Sequence, residues 1–330
     1  MPDRPRLTPA VADVRRAVRE ALPAVPVRVS GPEALVGLSG GPDSLALALA
    51  AAFEGPRADR RIGAIVVDHG LQPGSAEVAA AAAATARELG LDPVLVERVE
   101  VRAGGGPEAA ARAARRAAFE RALAATGATR ILTAHTLDDQ AETVLLGLAR
   151  GSGPDAIAGM RADAPPFIRP LLGLRRRTTV QACADQRRTA WTDPHNADRR
   201  YTRVKVRLDA LPALEDALGP GVAEALARTA AQVQEDAAAL DALAEEQAPE
   251  LAELAEGGIA LPVDALAANP PALVQRLVRL AVEHEFGRTL TRAQTLEVAR
   301  LVTDWHGQGP LHLPGVRVVR AGGRIEFTAA

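Results

Sequence analysis

Apolar residues in the first half of the chain follow two alternating periods. Residues 8–22 space theirs as one face of an amphipathic helix. A short apolar run, Ala34–Leu38, gives way at once to Ser39-Gly40-Gly41-Pro42-Asp43-Ser44, and an alanine- and leucine-rich helix continues to about Phe53. Further strand candidates are Ile62–Val67, Pro93–Val99 and Thr129–Ala134. Helical stretches at Ser75–Leu89 and Pro107–Ala125 separate them, and another follows over 138–149. Strand and helix alternating at these lengths predict an α/β fold, an open parallel sheet with helices on both faces. The loops after the first, second and fourth strands carry the unusual polar residues. They lie at the carboxyl ends of the strands, where such sheets bind ligands.

The second half reads differently. Helices are predicted near 212–219, 221–246, 270–286 and 291–305, and then short strands at Leu311–Leu313, Val316–Arg320 and Arg324–Phe327, with Pro314-Gly315 and Gly322-Gly323 as turns. Charge shifts at the same place. Residues 165–210 hold 11 basic and 4 acidic side chains, a net of +7, while residues 211–270 hold 1 and 12, a net of -11. The overall charge of -2 is therefore a cancellation. A boundary near 210 is expected, with a domain over 1–210 that includes the basic segment and a smaller, mainly helical domain over 211–330 ending in short strands. A basic segment beside an acidic one suits a surface for nucleic acid. The acidic segment is compatible with a role in RNA positioning, with repulsion of misdocked RNA, or with a homodimer contact.

Composition narrows the chemistry. Cys183 is the only cysteine, so neither an internal disulfide nor a cysteine-based zinc or iron–sulfur site is expected, in keeping with a cytoplasmic setting. No apolar stretch is long enough to suggest a membrane span. Lys205 is the only lysine, so any phosphate clamp elsewhere must be built from arginine or backbone amides.

In Ser39–Ser44 two glycines let the backbone curl so that its N–H groups face inward, and the helix start adds unpaired amides; together they suit an anion such as phosphate. Gly-x-x-x-x-Gly-Lys and Gly-x-Gly-x-x-Gly are both absent, which excludes the common nucleotide loops. Asp138, Asp139 and Glu142 place carboxylates at a strand end and first helical turn, a pattern that suits either an ammonium ligand or plain helix capping. His69 and His135 lack zinc-ligand spacing. Arg112 and Arg115 share a helix face, with Arg115 and Arg116 read as solvated charges.

The loop resembles that of the N-type ATP pyrophosphatases, Ser-Gly-Gly-x-Asp-Ser. More narrowly, the chain over about 30–210 is similar to bacterial tRNA(Ile)-lysidine synthetases. The resemblance rests on Val67-Asp68-His69-Gly70-Leu71-Gln72-Pro73, Glu108-Ala109-Ala110-Ala111-Arg112 and Ala134-His135-Thr136-Leu137-Asp138-Asp139-Gln140-Ala141-Glu142-Thr143. Arg150-Gly151-Ser152-Gly153, Gly159-Met160, Ile168-Arg169-Pro170-Leu171-Leu172 and Trp191-Thr192-Asp193-Pro194 extend it. It implies that ATP adenylates the wobble cytidine of a CAU-anticodon tRNA(Ile) and that L-lysine displaces AMP. The implied ATP site is Ser39, Gly40, Gly41, Pro42, Asp43, Ser44, Asp68, His69 and His135, with Mg2+ on Asp43 and Asp139. Asp138, Asp139 and Glu142 are implied for lysine, and Asp43, Arg112, Asp138 and Asp139 for catalysis. Arg169, Arg175, Arg176, Arg177, Trp191, Arg203 and Arg207 are implied for tRNA. Competing readings are a tRNA thiolation enzyme, which generally needs more cysteines, an amidotransferase acting on a small metabolite, and a noncatalytic nucleotide- or RNA-binding module.

Overall fold

Side chains alternate across the strands of the first sheet, and each face has its own helices. A computed structural model describes residues 7–25, 31–70, 74–100, 107–151 and 153–330. The chain runs α1 (Pro9–Ala21), β1 (Ala34–Gly37), α2 (Pro42–Glu54), β2 (Ile62–Asp68), α3 (Ser75–Glu88), β3 (Val94–Arg98), α4 (Pro107–Thr126), β4 (Arg130–Leu132) and α5 (Leu137–Ala149). It continues through α6 (Pro154–Ile157), β5 (Asp163–Ala164), β6 (Phe167–Ile168), α7 (Arg176–Asp185), α8 (Thr202–Lys205), a π-helical turn (Val206–Ala210), α9 (Leu211–Leu218) and α10 (Val222–Leu251). Strand order is β3-β2-β1-β4-β6-β5. Ala34, Val36, Ala64 and Val66 point into a core shared with α1, α2, α3 and α7. Leu35 and Ile65 point the other way, onto Phe119 and Ala122 of α4. A two-residue side-chain period makes this division.

All pairings in the sheet are parallel except the last, where β5 turns back antiparallel on β6. The fold class holds, with a mixed edge that the pattern did not predict: two-residue strands carry no readable alternation.

The chain divides into two compact units, Met1–Ala231 and Gln232–Ala330. The second holds β7 (Glu253–Ala255), β8 (Gly258–Pro262), α11 (Val263–Ala267), α12 (Pro271–Phe286), α13 (Arg292–Thr303), β9 (Leu311–Leu313), β10 (Val316–Ala321) and β11 (Arg324–Ala329). Its antiparallel sheet, ordered β7-β8-β11-β10-β9, packs Leu261, Val316, Val318, Ile325 and Phe327 against α12 and α13. The terminal strands are those the sequence predicts. β7 and β8 were not foreseen, because acidic residues and glycines interrupt their apolar pattern. Among the described residues no helix is long and apolar enough to cross a membrane.

Candidate active site

The loop after β1 is drawn tight by one hydroxyl. Ser44 Oγ accepts from the Ser39 N–H at 3.1 Å, donates to the Gly41 carbonyl at 3.0 Å, and lies 3.0 Å from Ser39 Oγ. Gly40 takes φ +84°, a value that disfavours any side chain. Pro42 opens α2 with its fixed φ. The Trp191 N–H donates to the Gly40 carbonyl at 2.9 Å, so this residue, implied for tRNA, braces the loop through its backbone.

Asp43, in the first turn of α2, faces two elements. Its Oδ1 accepts from the Thr179 hydroxyl of α7, and its Oδ2 lies 3.2 Å from Arg176 Nε. Burial raises the Asp43 pKa, while Arg176 and Thr179 offset part of the rise. The same Arg176 guanidinium donates from Nη2 to Asp139 Oδ1 at 2.9 Å. One cation thus bridges the two carboxylates that the sequence suggested for a metal.

Asp139 divides its two oxygens between helix and site. Oδ2 accepts from the Thr136 N–H and hydroxyl, each at 2.8 Å, in a capping box that starts α5. Oδ1 faces Arg176 and, at 3.4 Å, Arg207 Nη2. Burial opposes ionisation of Asp139, but Arg176 and the Thr136 N–H prevail and hold its pKa down at about 2. Capping and a site role, alternatives on sequence alone, are compatible in one side chain, because capping occupies only Oδ2.

Asp138 and Glu142 flank it. Asp138 accepts from Arg175 Nη1 at 3.1 Å and from the Arg176 N–H at 2.7 Å, satisfying the first amide of α7. Glu142 is fully buried and holds Arg203 Nε at 2.8 Å and Arg207 Nε at 2.6 Å. Arg203 also donates to the Asp139 carbonyl at 3.1 Å and Thr143 Oγ1 at 3.0 Å. Arg175 completes its set with Glu215 at 3.0 Å and Glu224 at 2.9 Å. Four of the six arginines implied for RNA, Arg175, Arg176, Arg203 and Arg207, are therefore partners of the carboxylates implied for lysine. Of the three arginines at 175–177, only Arg177 is exposed.

His135 Nδ1 lies 3.0 Å from Thr133 Oγ1. Burial, reinforced by Arg115, Arg169 and Arg203 against Asp139, pushes its pKa down to about 4, so the ring is neutral at pH 7. Burial and Arg115 lower His69 as well. Asp68 accepts from the Gly70 N–H at 2.9 Å, and this bond, with the Ser75 hydroxyl and Arg98, outweighs burial and lowers its pKa. Leu71, Gln72, Pro73, Ser152 and the side chain of Glu108 lie outside the described residues.

Two residues were missed by sequence reading. Thr179 gave no signal, since only the approach of α7 brings it to Asp43. Arg115 did give one, its spacing from Arg112. It is exposed, and desolvation by surrounding protein, Arg112 and Arg203 lower its pKa.

A phosphate-type loop at the carboxyl end of a parallel sheet, with ionised groups converging on it, defines a nucleotide-dependent enzyme of the PP-loop class. Residues 13–214 match the PP-loop domain, and residues 261–326 match the TilS substrate binding domain. The chain is 67% identical over 294 residues to the tRNA(Ile)-lysidine synthase of Leifsonia xyli, covering 89% of each. It is 50% identical to that of Thermobifida fusca, covering 94% of each. The chain belongs to the tRNA(Ile)-lysidine synthase family. A U34-tRNA thiolase from Methanococcus maripaludis shares the fold, at TM-score 0.54 and 19% identity over 68% of this chain and 80% of that one.

Proposed function

We propose that this ATP-dependent ligase adenylates O2 of the wobble cytidine in a CAU-anticodon tRNA(Ile) and then joins L-lysine to C2, releasing diphosphate and AMP. The product pairs with A, so the tRNA reads AUA as isoleucine. Cytidine O2 is a weak nucleophile and a poor leaving group, which is why activation must precede amine attack. The supporting observation is the convergence of the Ser39–Ser44 loop, the 138–142 carboxylates and the 175–207 arginines at one sheet end.

The curled loop amides and Ser39 take the departing diphosphate, where hydrogen-bond donors offset developing charge. Asp43 and Asp139 fit a divalent cation, because both already lean on one guanidinium. Two carboxylates, completed by phosphate oxygens, are a usual magnesium set. Bound there, Mg2+ supplies neutralisation of the triphosphate. With a cation held there, Arg176 would be the group left to pair with phosphate oxygens.

Exposure ranks the carboxylates for lysine. Asp138 is 27% exposed, Asp139 12% and Glu142 not at all. An incoming ammonium reaches Asp138 first, whereas Glu142 orients Arg203 and Arg207. The thiolase alternative is disfavoured chemically: Cys183 is buried, donates to the Pro42 carbonyl at 3.4 Å, and burial with Asp43 pushes its pKa up to about 11. Incubation with ATP, Mg2+ and CAU-anticodon tRNA, with and without labelled lysine, tests the reaction. Label in the cytidine together with AMP is expected; AMP release without lysine incorporation would reject it.

A further inference from the structure

Among the described residues, one group of cations has no carboxylate partner. Arg112 and Arg115 stand one turn apart on α4. Arg169, just past β6, donates from Nη1 to the Arg161 carbonyl at 2.7 Å and lies 5.9 Å from the Phe167 ring centre. Phe167 meets Phe119 of α4 edge-on, with centroids 6.0 Å apart, which ties the helix to the strand that carries Arg169. Arg115 feels Arg112 and Arg203, Arg169 feels Arg112, and among the described residues neither has an ion pair with a carboxylate. Two buried nitrogens here, Arg169 Nε and His69 Nδ1, have no hydrogen-bond partner among the described residues.

Gathering like charges and leaving a donor orphaned both cost stability. Such conflicts are expected where an external ligand resolves them. The ligand must be anionic, with several acceptor oxygens, to serve three guanidinium forks. Among the reactants of the proposed function, the lysine carboxylate and the phosphate groups are anionic; the two carboxylate oxygens match one fork, so a phosphate group serves three forks better. The nucleotide's phosphates already have the Ser39–Ser44 loop.

Resting on that reading, we propose that Arg112, Arg115 and Arg169 form a basin for a backbone phosphate of the RNA beside the target cytidine, with Arg115 as a positioning residue. A phosphate anchored here fixes the register of the nucleotide without reading its base.

The test uses the full chain with Arg115→Gln, Arg169→Gln and the charge-preserving Arg115→Lys. The comparison variant is Arg121→Gln, whose partner is Glu97 at 3.0 Å. Unmodified tRNA affinity is measured against salt without ATP, and ATP affinity and diphosphate inhibition without RNA. Arg115→Gln and Arg169→Gln should each lose about tenfold in RNA affinity and about 0.7 from the magnitude of the log-affinity against log-salt slope, while Arg121→Gln should change neither. Arg115→Lys should keep the slope, and ATP affinity should hold in all four variants. A loss confined to ATP or diphosphate would keep the phosphate basin but assign it to the nucleotide. If variants with unchanged melting temperature alter neither affinity nor slope, the basin is overturned. Lysine incorporation by the unaltered chain is scored separately, so the basin and the reaction can fail independently.

Discussion

At the residue scale, charge pairing decides what each side chain can do. Asp138 keeps one oxygen on the Arg176 N–H and shares the other with Arg175. Asp138→Asn retains an acceptor for that amide but gives up the charge an ε-ammonium needs. The expected outcome is a lysine affinity weakened by about tenfold, about 1.4 kcal/mol, with adenylated tRNA accumulating in rapid-quench experiments. Failure of adenylation at normal lysine affinity would move Asp138 to the nucleotide. His135 supplies a pH prediction. Its folded pKa of about 4 lies below the unfolded value near 6.5, so the unfolded chain binds the extra proton between them. The stability conferred by the neutral ring is fully present above about pH 6.5 and is lost as pH falls toward 4. Thermal melts from pH 7 to 4 should fall less steeply for His135→Gln than for the unaltered chain. Asp139, held down at about 2, acts in a lower window, with its stability lost below about pH 4.

At the element scale, short helices are set in place by side chains from elsewhere in the chain. The start of α7 is fixed by Asp138 of α5 together with Glu215 of α9 and Glu224 of α10, all through Arg175 and the Arg176 amide. Arg175, 18% exposed, is therefore a clamp. Arg175→Ala should destabilise the chain by about 2–3 kcal/mol by stranding partly buried carboxylates, whereas Arg177→Ala should stay within about 0.5 kcal/mol. Urea unfolding of the two variants separates them, and equal losses would remove the clamp. Gln140 plays a similar part, its amide exchanging bonds of 3.0 and 2.8 Å with the Met160 backbone. Gly159 stands beside it at φ +63°, where a Cβ would come within 2.7 Å of Gln140 Oε1. Both belong to motifs that the sequence marks as functional, and here they serve local architecture.

At the scale of the molecule, the basic segment is less available to RNA than its net of +7 suggests. Arg175, Arg176, Arg203 and Arg207 hold site carboxylates, while Arg199 and Arg200 hold Asp209 and Asp198. Arg188 lies 3.7 Å from Glu88, so among the described residues Arg169, Arg177, Arg187 and Lys205 of the segment, with Arg112 and Arg115 of α4, remain for phosphate. At about 0.7 per contact, these give a log-affinity against log-salt slope of about -4 for tRNA. A measured slope near -8 would show that ion-paired arginines also turn to the RNA.

The sequence by itself determined the parallel α/β order, the terminal strands of the second unit and the phosphate-binding loop. These follow from apolar periods and turn residues that act over a few positions. It also named nearly every side chain in the network. Partnership was decided only by the tertiary structure: Arg176 meets Asp139 across 37 residues, Arg203 meets Glu142 across 61 and Arg207 meets Glu142 across 65. A guanidinium has the same pattern along the chain whether it faces RNA or a carboxylate. Its partner is fixed by which strand and helix ends the fold brings within reach, and that is why Arg115 was read as a solvated charge and Glu142 as an open ligand.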